Sequence, residues 1–151
     1  MISKELQQGM AAEHLVAAHL ILQGYPAHIA SAGSPYDVIA EAEHRLWRVQ
    51  VRSTRIPRSN RHYRKPVYRF SLRRGKGGHQ CSGEGVDVYA FVALDINTIA
   101  YLLKADVIGP SGKLIQLIEF YSTLSERKNY CPRKYKNRLI TNYSFQRALS
   151  L

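Results

Sequence analysis

The chain has 151 residues, 45% of them hydrophobic, with 22 Lys and Arg against 11 Asp and Glu, giving a formal charge of +11 and a pI near 9.9. A chain of this length is expected to form a single domain, residues 1–151, that buries about two-thirds of its unfolded surface without a disulfide or metal staple. No apolar run approaches the ~18 residues of a membrane span, no leader or lipidation motif opens the chain, and Cys81 and Cys131 are too few for a disulfide framework, so the expectation is a reducing cytoplasm and a polyanionic partner ahead of a membrane surface.

The predicted elements begin with a helix over residues 3–23, where Pro is absent, Ser3 fits an N-cap and Gly24 fits a stop. Residues 27–31 are a short extended piece, broken by Ala32, Gly33, Ser34 and Pro35. Residues 36–42 and 46–54 are predicted to pair as a hairpin around Glu43, His44 and Arg45. The stretch after Pro57 reads as loop until residues 67–72, whose alternation fits a strand, and the Gly-rich 75–85 is predicted as a mobile loop. Residues 86–95 and 98–107, turning at Asn97, are expected as central paired strands. Residues 114–124 fit helix or strand, and a short closing helix is predicted to start at Ser144.

Basic charge is concentrated. Residues 44–83 contain no Asp or Glu, yet hold Arg45, Arg48, Arg52, Arg55, Arg58, Arg61, Arg64, Lys65, Arg69, Arg73, Arg74 and Lys76. A second basic stretch, residues 126–138, interleaves Tyr130 and Tyr135 with Arg127, Lys128, Arg133, Lys134, Lys136 and Arg138. Each is open to two readings: a solvated loop, or phosphate contact with aromatic and Arg side chains stacking on sugars or bases.

Side chains two apart on a strand share a face, about 6.5–7 Å apart. Gln50 and Arg52 therefore point together with Arg48 and Thr54, while Trp47, Val49 and Val51 pack on the other face. Asp37, the one acid of its apolar run, lies on the preceding strand within reach of the same pocket. In the helix Leu6, Met10, Glu13, Ala17 and Leu20 recur at spacings of three and four, so Glu13 interrupts an apolar stripe. A carboxylate there needs either a metal ion or a Lys or Arg at the edge of the core.

In this order, Glu13 in GMAAEHLVAAHLILQGY, then Pro35, Tyr36 and Asp37, then Gln50, Val51 and Arg52 in a hairpin resemble the active site of the PD-(D/E)XK nucleases, the restriction-endonuclease superfamily. The helix is similar to that of archaeal junction resolvases. Gln at the second motif acid, with the blocks YRFSLRRG and VDVYAFVALD, resembles the small bacterial group I intron homing endonucleases of that fold, over about residues 9–107. The resemblance implies an α/β (α+β) αβββαβ core, a central mixed sheet flanked by helices with the site at one edge, and a basic β-hairpin insert at about 55–76. It implies one or two Mg²⁺ ions, with Mn²⁺ as substitute, held by Asp37, Gln50, the Val51 backbone carbonyl and Glu13, and Arg52 where the family has Lys. Hard oxygens suit Mg²⁺, which keeps waters beside a phosphate. Candidate DNA contacts are Arg55, Arg58, Arg61, Arg64, Lys65, Arg69, Arg73, Arg74 and Lys76, with Arg133, Lys134 and Lys136 in the C-terminal basic stretch.

Two positions depart from the family pattern: Gln50 offers oxygen without charge, and a guanidinium at position 52 is no base at neutral pH. His62, His79 and Cys81 lack zinc-site spacing, and the glycines of 75–85 lack a P-loop ending, so neither zinc nor a nucleotide cofactor is expected. The expected activity is a sequence-specific double-strand DNA endonuclease of the homing type. The alternatives are a junction resolvase, a restriction or repair nuclease of the same fold, and a degenerate module that binds DNA or RNA without cutting. Cutting both strands with one site per chain implies a homo-oligomer, dimer or tetramer, for which residues 114–121 are the candidate pairing surface.

Overall fold

The computed structural model describes residues 1–60, 63–74, 80–122 and 138–150. Helix α1 (Lys4–Leu22) is followed by β1 (Ala27–Ile29), β2 (Val38–Ala42), β3 (Arg45–Thr54), β4 (Arg58–Asn60), β5 (Tyr63–Ser71), β6 (Val88–Ala93), β7 (Thr98–Leu103), β8 (Leu117–Tyr121) and α2 (Phe145–Leu149). The Ser3 side chain accepts from the Leu6 N–H at 3.2 Å, and Gly24, at φ +93°, turns the chain out of α1. The buried face of α1 runs through Ala12, Val16, Ala17 and Leu20, while Met10 is 42% exposed. The stripe is thus rotated from the predicted one, because small side chains bring α1 against the sheet.

Five strands form the main sheet in the order β1-β2-β3-β6-β7. All its pairs are antiparallel except β3 with β6. The β2–β3 turn puts Glu43 at φ 51° and His44 at φ 59°, the two positive φ values that a two-residue type I′ hairpin requires. Every residue of β6 is buried, as expected of a strand covered on both faces, whereas β7 is an edge and gives way to a 3-10 turn at Lys104–Val107.

One face packs Val38, Ala40, Val49, Val51, Val88, Ala90 and Val92 against α1 and against Phe145 and Ala148 of α2. On the opposite face Tyr89, Phe91, Ala93 and Leu102 pack against Tyr68, Phe70, Ile118 and Phe120 of a second sheet, β4-β5-β8. Both helices therefore cover the same face. Where the αβββαβ order puts a helix ahead of the fourth core strand, the described residues hold the antiparallel β4–β5 ribbon. The ribbon starts at Arg58, inside the stretch predicted as loop. Its first strand, Arg58–Asn60, is three polar residues long and so carries no apolar alternation to read.

The Gly-rich segment is only partly a loop: Gln80 bridges Arg74, and the Cys81 N–H donates to the Arg73 carbonyl at 2.7 Å, while residues 75–79 lie outside the described residues. In the segment 114–121, Leu114, Ile118, Phe120 and Tyr121 are buried within this chain, while Gln116 and Leu117 face out. The closing helix begins as predicted, with the Ser144 side chain accepting from Arg147 N–H at 3.1 Å. No helix among the described residues is long and apolar enough to cross a membrane.

Candidate active site

Asp37 stands one residue ahead of β2 but is already in the ladder: its N–H donates to the Val49 carbonyl and its carbonyl accepts from the Ala30 N–H, both at 2.9 Å. From there its side chain reaches across the hairpin. Asp37 Oδ2 accepts the Val51 N–H at 2.8 Å and Gln50 Nε2 at 2.7 Å. Two donors on one carboxylate oxygen fix its direction. The Gln50 amide nitrogen thus faces Asp37, so its amide oxygen points elsewhere. Assignment of the two amide atoms follows this hydrogen bond.

Arg52 lies on the same strand face as Gln50. Its Nη2 donates to the Leu72 carbonyl at 3.3 Å, tying β3 to the end of β5, and its Nε is buried with no hydrogen-bond partner among the described residues. Glu13, half-buried on α1, completes the set. All four predicted site residues line one cleft of ≈ 780 Å³, with Glu5 and Gly9 of α1, the 29–37 segment, Ser53, Arg74 and Cys81. A smaller chamber of ≈ 300 Å³ shares Pro35, Gln50, Arg52 and Cys81 and is bounded by Gly83, Val86 and Tyr89. Gly83 has φ +75°, and a Cβ there would sit 2.8 Å from the Tyr89 hydroxyl, so the chamber wall admits only glycine.

No three His, Cys, Asp or Glu side chains among the described residues converge into a closed metal cage. The cleft instead offers the carboxylates of Glu13 and Asp37, with the amide of Gln50. A donor set of hard oxygens around one or two carboxylates fits a cation such as Mg²⁺, which retains several waters and takes further ligands from phosphate.

Beside the cleft, Asp87 accepts from the Arg48 N–H (2.9 Å), Arg48 Nε (3.0 Å) and Arg48 Nη2 (2.9 Å), with Arg45 at 3.5 Å. Burial pushes the Asp87 carboxyl up, but the Arg48 hydrogen bonds and the charges of Arg48 and Arg45 outweigh it and hold the group below its usual range. Sequence reading gave Asp87 no role, since its partner is 39 positions away.

The candidate DNA contacts divide by environment. Arg55, Arg58 and Arg74 are exposed. Arg69 pairs with Glu119 at 2.9 Å, and Arg73 Nε donates to the Leu114 carbonyl at 2.7 Å, so both are engaged within the second sheet. Arg64 and Lys65 fall on β5. Arg61, Lys76, Arg133, Lys134 and Lys136 lie outside the described residues, as do His62, His79 and Cys131. Cys81 is in no disulfide among the described residues.

Among solved structures the chain is similar to a bacterial homing endonuclease, I-Ssp6803I, with a TM-score of 0.60 and 17% identity over 88% of this chain and 84% of that one. At that identity the likeness is one of fold. A search of curated proteins finds no match. The PD-(D/E)XK endonuclease profile matches residues 3–135, nearly the whole sequence and every strand described above. With its five-stranded mixed sheet and the hairpin that carries Asp37, Gln50 and Arg52, the chain belongs to the PD-(D/E)XK endonuclease family.

Proposed function

We propose that this chain is a Mg²⁺-dependent endonuclease of the homing type, a single nuclease domain over residues 1–151 that assembles as a homo-oligomer and cuts both strands of duplex DNA at a defined sequence. The observation that carries this reading is the Asp37 carboxylate, anchored by the Val51 N–H at 2.8 Å on a cleft it shares with Glu13, Gln50 and Arg52. Asp37 is the principal metal ligand, Glu13 and the Val51 carbonyl add oxygen, and Gln50 holds Asp37 in place through Nε2 and presents its amide oxygen. When bound, Mg²⁺ would polarise a phosphate oxygen and acidify a water.

Hydrolysis consumes one water: its oxygen bonds to phosphorus, one bridging P–O bond breaks, and the departing sugar oxygen takes up a proton while the water gives one to solvent. Arg52 remains charged throughout and donates to the phosphate oxygens as negative charge builds, because a guanidinium does not deprotonate near neutral pH. The specificity and homing role are supported by the exposed Arg55 and Arg58 at the root of the basic ribbon and by the fold shared with a homing endonuclease. A DNA-binding module without cleavage is the second reading, favoured by the uncharged Gln50 turning its amide nitrogen to Asp37.

Supercoiled plasmid carrying a pool of inserts, incubated with and without Mg²⁺, tests the proposal. Discrete linear products that need Mg²⁺ are expected, and Asp37→Asn is expected to abolish them while DNA affinity stays within about threefold. A wild-type chain that binds tightly yet cuts in neither Mg²⁺ nor Mn²⁺ establishes the binding module instead.

A further inference from the structure

We propose that Arg74 is a second catalytic cation of this site, a guanidinium that reaches the scissile phosphate from the β5 side of the cleft. The inference rests on the nuclease reading above and deepens it. Two arginines line the cleft, and they differ in freedom. Arg52 is committed: its Nη2 is on the Leu72 carbonyl and its Nε is buried. Arg74 is exposed, and its guanidinium has neither a hydrogen bond nor an ion pair among the described residues.

The backbone beneath Arg74 is nonetheless well anchored. Leu72 N–H donates to the Gln116 carbonyl at 3.1 Å, the Arg73 carbonyl accepts from the Cys81 N–H at 2.7 Å, and Arg74 itself bridges Gln80. The contacts of Arg73 and Arg74 separate the two neighbours. Arg73 turns to the second sheet and spends Nε on the Leu114 carbonyl, while Arg74 turns to the cleft. A fixed root and an unengaged head suit a group that must meet an incoming phosphate.

Charge argues the same way. Glu5, Glu13 and Asp37 line this cleft, and in the reading above Glu13 and Asp37 hold the metal. The phosphorane formed on attack carries one more negative charge than the diester, and Arg52 is only partly exposed to it. A planar fork that donates two parallel N–H bonds to non-bridging oxygens adds positive charge where the negative charge develops.

The test uses the full chain and a duplex bearing a cut site mapped from plasmid cleavage, with single-turnover rates at saturating enzyme, affinity and melting measured separately. Arg74→Met is expected to slow single-turnover cleavage by about 100-fold with affinity within about threefold and melting unchanged, and Arg74→Lys to recover about tenfold of that loss. If Arg74→Met cuts at the wild-type rate while Asp37→Asn is dead, Arg74 is not catalytic and the nuclease reading stands. If Arg74→Met loses affinity but cuts normally at saturation, Arg74 is only a docking contact and the proposal falls. A wild type inert on all DNA overturns both.

Discussion

The guanidinium of Arg52 is held at a cost. A buried N–H without an acceptor forfeits about 1–3 kcal/mol of desolvation, and proteins keep few such groups. Arg52 lines the cleft with Gln50 and Asp37, so its charge acts on a phosphate there although Nε itself is closed off. Substitution therefore separates function from stability. Arg52→Met is expected to cut cleavage by two or more orders of magnitude, since one preorganised donor is worth about 10²–10³ in rate, yet to leave stability unchanged or higher by about 1 kcal/mol, because the unmet donor is gone. Arg52→Lys, which keeps the charge but not the reach to Leu72, is expected to retain substantial activity. Paired single-turnover assays and urea denaturation decide it, and normal cleavage by Arg52→Met removes position 52 from catalysis. That Glu13, Asp37, Gln50 and Arg52 share one cleft was legible in sequence because polar residues in apolar runs stand out against a simple period. Arg74 was legible only as one more charge among twelve, since its approach to the cleft depends on how β5 ends against Gln80.

At the level of elements, the parallel pair β3–β6 carries the site, and Asp87 helps set its register. Its side chain takes the Arg48 N–H, its own N–H donates to the Arg48 carbonyl at 2.9 Å, and its carbonyl accepts Lys104 N–H at 2.9 Å, so three strands are joined at one residue. A carboxyl with a depressed pKa in the folded chain adds stability above its unfolded pKa, near 3.8, and loses it as pH falls through the folded value. Asp87→Asn is therefore expected to lower stability at neutral pH and to flatten the acid limb below about pH 4, read from urea midpoints across pH. An acid limb as steep in the variant as in wild type assigns that limb to other carboxylates. Local elements could be read from sequence: α1 from Ser3 and Gly24, the hairpin from its alternation, α2 from Ser144. The β3–β6 pairing could not, because it joins strands separated by the whole β4–β5 ribbon and leaves no periodic trace. The second sheet was hidden for a like reason, with Arg69 facing Glu119 across 50 positions.

For the whole molecule the excess of 11 positive charges matters through its distribution. Arg69 and Arg73 have acceptors within the fold, whereas Arg55, Arg58 and Arg74 are exposed and open to phosphate. Neutralising Arg55 and Arg58 together is expected to lower the slope of log affinity against log salt by about 1.8, or about 0.9 for each lost contact. Arg69→Gln with Arg73→Gln is expected to change that slope little and to destabilise the fold instead. Fluorescence anisotropy across a salt series checks both, and the reverse pattern moves the DNA surface off the ribbon's root. The two apolar clusters, meeting on opposite faces of β6, also impose an order of assembly. The α1 side is completed only by Phe145 and Ala148 of α2, and β5 cannot gain its β8 partner until the chain has run on through β6 and β7. During synthesis both faces of β6 therefore wait for late segments, β8 on one side and α2 on the other, and until β8 arrives β5 keeps an open edge whose charged residues disfavour pairing between unfinished chains.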